Sequence, residues 1–140
     1  MIYNDDKEIL VSMVEAMTKS KSGLESTKNW AKDALWYDIP PFASRGIKPA
    51  IKKLDNTFSA FKSCEISILH IDTFISQDIG VVCTIQKAEV VLVNGVNKVL
   101  LLRETDCFKK NENNEWCLIH QHTSVPNGED WDGSIVTEEN

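Results

Sequence analysis

The sequence predicts an α+β domain in which helices come first and a curved antiparallel sheet follows. Two observations carry that prediction. Up to Phe61 apolar residues recur at helical spacing; from Cys64 onward, four long segments rich in Val, Ile, Thr and aromatics alternate with turn-forming clusters. Elements segregated in this order pack as two layers, with the helices on one face of the sheet.

Asp5 and Glu8 form a D-x-x-E opening, a variant of the capping box. Ile9, Leu10, Met13, Ala16 and Met17 then repeat at helical spacing, so residues 5–20 form an amphipathic helix with Met13 and Met17 facing inward. Ser22 and Glu25 repeat the device as S-x-x-E, starting a second helix near Gly23 that runs into NWAKDA. Two prolines in LWYDIPPF forbid helix and favour an extended, turning segment. Gly46 opens a third helix, with Ile47, Ala50, Ile51, Leu54, Phe58 and Phe61 at offsets 0, 3, 4, 7, 11 and 14; Pro49 falls in its tolerant first turn. CEISILHIDTFI, IGVVCTIQKAEVVLV, KVLLLRETDCFKK and EWCLIHQHTSV are the strands, joined by SQD, NGVN and KNENNE into a meander. Long antiparallel strands twist, so the sheet is concave towards the helices and encloses a pocket where they leave it unfilled.

The 140 residues suit one domain, residues 1–126, followed by an acidic tail, 127–140, either disordered or held by one anchor, Trp131. A chain of this size buries roughly two-thirds of its unfolded surface, enough for a core without staples. Fifteen basic residues against 21 acidic ones give −6, which argues against nucleic acid or an anionic membrane as partner. Lys48, Lys52, Lys53 and Lys62 read as a solvated face. There is no signal-like start, and the most apolar stretch is broken by Asn94, Gly95, Asn97 and Lys98. A cytoplasmic protein follows. Cys64, Cys83, Cys107 and Cys117 show neither C-x-x-C nor zinc-like spacing and read as small hydrophobes in strands.

The last strand carries the chemistry. On strict alternation Trp116, Leu118, His120, His122 and Ser124 share one face, an unusual set of polar groups for a core. Asp38, among Trp36, Tyr37, Ile39 and Pro40, is a carboxyl in apolar surroundings that would raise its pKa and suit it to proton transfer. Arg103, on one face with Leu101, Thr105 and Cys107, needs an anionic partner: Asp38, Glu89 or a ligand carboxylate. Zinc on the H-x-H pair would need a third ligand from His70 or Glu104, and no metal is expected.

The segment from Arg103 to Pro126 resembles the C-terminal hairpin of the SnoaL-like, ketosteroid-isomerase-like branch of the NTF2-like superfamily. The resemblance rests on Arg103, Thr105, Asp106 and Phe108, then Trp116, Ile119, His120, His122 and Ser124. Upstream, WYDIPPFASRGIKPAIKKL is similar to that family's aspartate-proline turn, glycine and third helix. The turn before Trp116 has Asn113 and Asn114 where the family usually has glycine; asparagine also adopts left-handed conformations. The resemblance implies a cone with an interior pocket and places Asp38 at the position of a catalytic base. In the steroid isomerases the base works with a tyrosine and a protonated aspartic acid; residues 5–20 contain no tyrosine.

The resulting expectation is a pocket for a small, largely apolar molecule with a polar or acidic group, bound and turned over by a cofactor-independent isomerase, cyclase or lyase. Asp38 is the base; His122 and His120 polarise or relay protons. Arg103 and Ser124 orient the ligand, and Trp36, Phe42, Thr105 and Trp116 complete the lining. The outer sheet face pairs two chains into a homodimer. The same hairpin also resembles the association domain of calcium/calmodulin-dependent protein kinase, which gives the alternative of a non-catalytic association or ligand-sensing domain.

Overall fold

The computed structural model describes residues 3–128 and 133–138. Three helices, α1 (Tyr3–Lys19), α2 (Gly23–Ser26) and α3 (Ile47–Ser59), accompany six strands. These are β1 (Trp30–Tyr37), β2 (Ser44–Arg45), β3 (Phe61–Ser76), β4 (Ile79–Leu92), β5 (Asn97–Lys110) and β6 (Trp116–Ser124). They form one open, curved sheet in the order β2-β1-β6-β5-β4-β3. The expected meander is β3 to β6; β1 adds to it in parallel with β6, and β2 in antiparallel with β1. Among the described residues no helix is long and apolar enough to cross a membrane.

Helix α1 lies on β3 and β4, and α3 lies on β1 and β2. Leu10 and Val14 of α1 meet Trp36, Val82, Phe108 and Leu118 of the sheet in a fully buried cluster. Gly80 on β4 has no side chain because Leu10 occupies that space. Trp116 joins the cluster, and its indole N–H donates to Asp6 Oδ1 at 3.0 Å, with Lys110 Nζ 3.5 Å from the same oxygen. The pairing matters because an unsatisfied buried polar group costs about 1–3 kcal/mol.

Ser22 caps α2 as expected, its hydroxyl accepting from the Glu25 N–H at 3.1 Å. The second helix is nevertheless a single turn, and WAKDA belongs to β1. Trp30, Ala34 and Trp36 bury their side chains against α3 and the core, and β6 supplies partners at Trp30 and at Leu35–Trp36–Tyr37, on either side of Ala31–Lys32–Asp33–Ala34, which outweighs the helical preference of that stretch. A register shift between Trp30 and Leu35 breaks the alternation of two that would have marked a strand. Phe61, expected on the third helix, is the first residue of β3. The tail folds back on itself: Asn127 bridges Ile135, and the Val136 N–H donates to the Pro126 carbonyl at 2.9 Å. Trp131 lies outside the described residues.

The decisive local feature is a β-bulge in β6. Cys107 pairs with His120 but Phe108 pairs with Leu118, leaving Ile119 as an extra residue. A bulge shifts alternation by one. Trp116 and Leu118 point inward before it, Gln121 and Thr123 after it.

Gly23 allows α2 to pack against α3, since a Cβ there would run into the Ile51 carbonyl oxygen and Cα. Its N–H also donates to Asp55 Oδ1 at 2.7 Å. Gly23→Ala should lower unfolding free energy by about 1–3 kcal/mol, the usual cost of overpacking, as a reduced urea midpoint with unchanged m-value.

Candidate functional site

Between the helices and the concave sheet face lies a cavity of about 310 Å³. Met17 and Leu54 line its helical side, with Phe58 and Phe61 beside them; Ala88, Val90, Leu100 and Leu102 form most of its floor. One end is polar. There Asp38, just beyond β1, joins Gln86 from β4, Glu104 from β5, and Gln121 and Thr123 from β6.

The sheet register explains that end. Thr84, Glu104 and Thr123 lie in one row across β4, β5 and β6, and Val82, Asp106, Gln121 and Trp36 lie in the next. Thr123 donates to Glu104 Oε1 at 3.1 Å. The Gln86 amide donates to Glu104 Oε2 at 3.1 Å and to Thr84 Oγ1 at 2.8 Å. Behind them Asp106, fully buried, accepts from the Gln121 amide at 2.7 Å, while its Oδ2 meets no donor. Burial first, then Glu104's charge, push Asp106 well above the usual carboxylate range.

Asp38 is the most consequential of these groups. Burial raises its pKa from 3.8 to about 7, and Glu104 adds to the rise; the Ile39 amide and the nearby Trp36 indole work against it. The Ile39 N–H donates to Oδ1 at 2.7 Å. A carboxyl that is half ionised at neutrality can both take and give a proton there.

Asp38 lines the cavity; Trp36 is buried near it but is not among the lining residues. The other expected residues lie elsewhere. The Ile119 bulge turns His120 and His122 to the outer sheet face, where both pack edge-on against Tyr37, at centroid distances of 5.0 and 5.6 Å. His120 Nδ1 lies 2.8 Å from the Leu35 carbonyl oxygen. Arg103 also faces outward and donates to Ser124 Oγ at 3.2 Å, meeting neither Asp38 nor Glu89; Thr105 pairs with His122 on that same outer face. Phe42 is 93 % exposed in the loop after β1, and Trp116 belongs to the core beneath α1. Among the described residues no three His, Cys, Asp or Glu side chains gather as a metal site. Gln86, Gln121 and Thr123 were not anticipated; Glu104 entered only as a possible zinc ligand and Asp106 only as part of the hairpin resemblance, neither as a cavity residue. Counting back by twos from Phe108 finds Asp106 and Glu104 on the Leu102 face, a signal present in the sequence.

No protein-family model and no curated protein matches the chain. Solved structures do. An NTF2-like superfamily protein from Salmonella enterica serovar Typhimurium superposes with a TM-score of 0.83 at 13% identity, covering 94% of this chain and 99% of that one. A type 2 hexachlorocyclohexane dehydrochlorinase gives 0.79 at 11% identity, covering 87% and 86%. A candidate calcium/calmodulin-dependent protein kinase II association domain from Xanthomonas campestris gives 0.69 at 13%, covering 86% and 84%. The chain has the NTF2-like fold.

Two outcomes follow from Asp38. Its side-chain carboxyl should titrate by carbon-detected NMR with a midpoint about 7 rather than near 3.8. Between those values the folded chain holds a proton that the unfolded chain has released, so this group lowers stability as pH rises across that window. The urea-midpoint difference between wild type and Asp38→Asn should therefore shift against wild type from pH 4.5 to pH 7.5, then level off.

Proposed function

We propose that the chain binds a small, largely apolar molecule in this cavity and moves a proton on it, with Asp38 as general acid and base. The observation that carries the reading is a carboxyl held half-ionised at neutrality in the wall of a mostly apolar cavity. Burial first, with Glu104's charge adding to it, raises Asp38's proton affinity; Gln86 and Thr123 hold Glu104 in place, and Gln121 holds Asp106 behind it. Isomerisation, cyclisation and elimination all begin with such a proton transfer. The dehydrochlorinase among the structural neighbours is consistent with the last of these.

The test is solvent-deuterium incorporation, followed by mass spectrometry, into a panel of cyclic ketones, β-hydroxy ketones and β-amino ketones. Wild type should label or convert at least one class, and Asp38→Asn should slow it roughly 10²–10⁴-fold, the usual contribution of a general base. Equal rates for the two proteins would remove Asp38 from the reaction.

The outer sheet face supports a second reading, that the chain acts as an association module. Tyr37 and Val81 lie on this face with Phe74, which is 63% exposed, an arrangement suited to a two-fold pairing of chains. Native mass spectrometry separates the readings: a dimer fits both, whereas a larger ring that survives Asp38→Asn and carries no small molecule favours association alone.

A further inference from the structure

The cavity has acceptors to offer and almost no donors. Each hydroxyl on its wall is already committed: Thr18 to the Glu15 carbonyl, Thr57 to the Lys53 carbonyl and Thr123 to Glu104. Ser20 donates to the Met17 carbonyl at 2.8 Å, so Ser26, 2.6 Å from Ser20, must donate to Ser20. Both N–H groups of Gln86 are taken, by Thr84 and Glu104. Those of Gln121 go to Asp106 and, more weakly, to Met17 Sδ at 3.7 Å. The Trp30 indole nitrogen meets no acceptor, but it is shut off from the open space. Lys21, the basic side chain among the described lining residues, directs its ammonium to the Cys64 carbonyl at 2.7 Å.

Against these donors, mostly committed or shut away apart from the remaining N–H groups of Lys21 at the rim, stand two open acceptors. Asp38 Oδ1 accepts from the adjacent Ile39 N–H, and the Trp36 indole N–H beside the carboxyl is the other donor near it among the described residues, which leaves acceptor lone pairs free. Glu104 accepts one bond on each oxygen from Thr123 and Gln86, and each oxygen retains a second lone pair. A ligand entering here must bring the donors itself. A carboxylate or an oxyanion would meet Asp38 and Glu104 with only the rim ammonium of Lys21, held at the Cys64 carbonyl, as counter-charge, and leaving either acceptor dry under a wholly apolar ligand would cost its desolvation.

We propose that the cavity takes a protonated amine on an apolar body, the ammonium seated between Asp38 and Glu104 and the body lying on Trp30, Phe58, Ala88 and Leu102. The proposal rests on the reading of this cavity as the site and names its ligand class. Aromatic walls favour a cation, and the cavity lies at the small end of ligand pockets, roughly 300–1,000 Å³. It also departs from the acidic ligand group that the sequence suggested, because Arg103 is outside.

The charge around Asp38 determines how binding depends on pH. Glu104 from β5 acts on it directly, with Asp106 behind. Helix α1 and the turn after it bring only Lys21 at the rim; α3 brings Thr57 and apolar groups, β3 the Cys64 thiol, and β6 the uncharged Gln121 and Thr123. An ammonium needs Asp38 ionised, so affinity rises as Asp38 loses its proton.

Isothermal titration of 2-phenylethylamine, 2-phenylethanol and phenylacetate, which share one body, tests this. The amine should bind at least tenfold more tightly than the alcohol, and the acid should not bind. Amine affinity should rise roughly tenfold from pH 6 to pH 8 as Asp38 ionises. Asp38→Asn should weaken the amine tenfold or more and abolish the pH dependence; Glu104→Gln should weaken it at least threefold. Both changes preserve volume, and circular dichroism checks the fold; if Glu104→Gln does not fold, Asp38→Asn decides. Equal binding of all three probes, preference for the acid, binding of none, or amine binding indifferent to Asp38→Asn would each overturn the proposal. Preference for the alcohol or acid with Asp38 still titrating near 7 would remove the amine and leave the proton-transfer reading standing; an ordinary Asp38 titration would remove both.

Discussion

Everything at the polar end of the cavity depends on one extra residue in β6. Without the bulge at Ile119, strict alternation would carry the inward face from Trp116 and Leu118 on to His120 and His122. With it, the strand begins beneath α1 as core and finishes as cavity wall, presenting Gln121 and Thr123. These two contact the carboxyls of β5, Gln121 holding Asp106 and Thr123 holding Glu104. Register shifts in β1 and β3 have companion effects, letting long strands coil around the helices while keeping their apolar faces inward.

The carboxyls form a graded series rather than a uniform acidic patch. Asp106 has no exposed surface, and burial followed by Glu104's charge pushes it well above the usual carboxylate range. Glu104 sits between, with donors on both oxygens. Asp38 stands in the wall with fewer partners, so burial and a neighbouring charge set its behaviour more than hydrogen bonds do. Apolar floor and walls are as much a part of this as the acids, because water beside Asp38 would return it towards the ordinary range.

The large-scale architecture was legible because it rests on periodicity. Helix α1, helix α3 and the four long strands each repeat their apolar residues over many positions, and turn residues such as Asn114, with φ 61°, mark the boundaries. Asp38 was legible through its apolar neighbours. What could not be read was local and depended on distant partners. Strand β1 reads as helix until β6 lies beside it, and the β6 bulge has no composition of its own, since Leu118–Ile119–His120 looks like any alternating strand. The histidines drew attention as a chemically rich motif, while the quieter Gln86, Gln121 and Thr123 acquire their meaning only when the register sets them beside Glu104 and Asp106.

The parallel pairing of β1 with β6 bears on how the chain is made. Leu35 and His120, joined through backbone and ring, are 85 positions apart. The meander can zip from hairpin to hairpin, but β1 has no parallel neighbour until the last long strand emerges. Until β6 pairs with β1, Asp38 lacks the burial that raises its proton affinity, so the chemistry of the cavity depends on a long-range pairing rather than on any local segment.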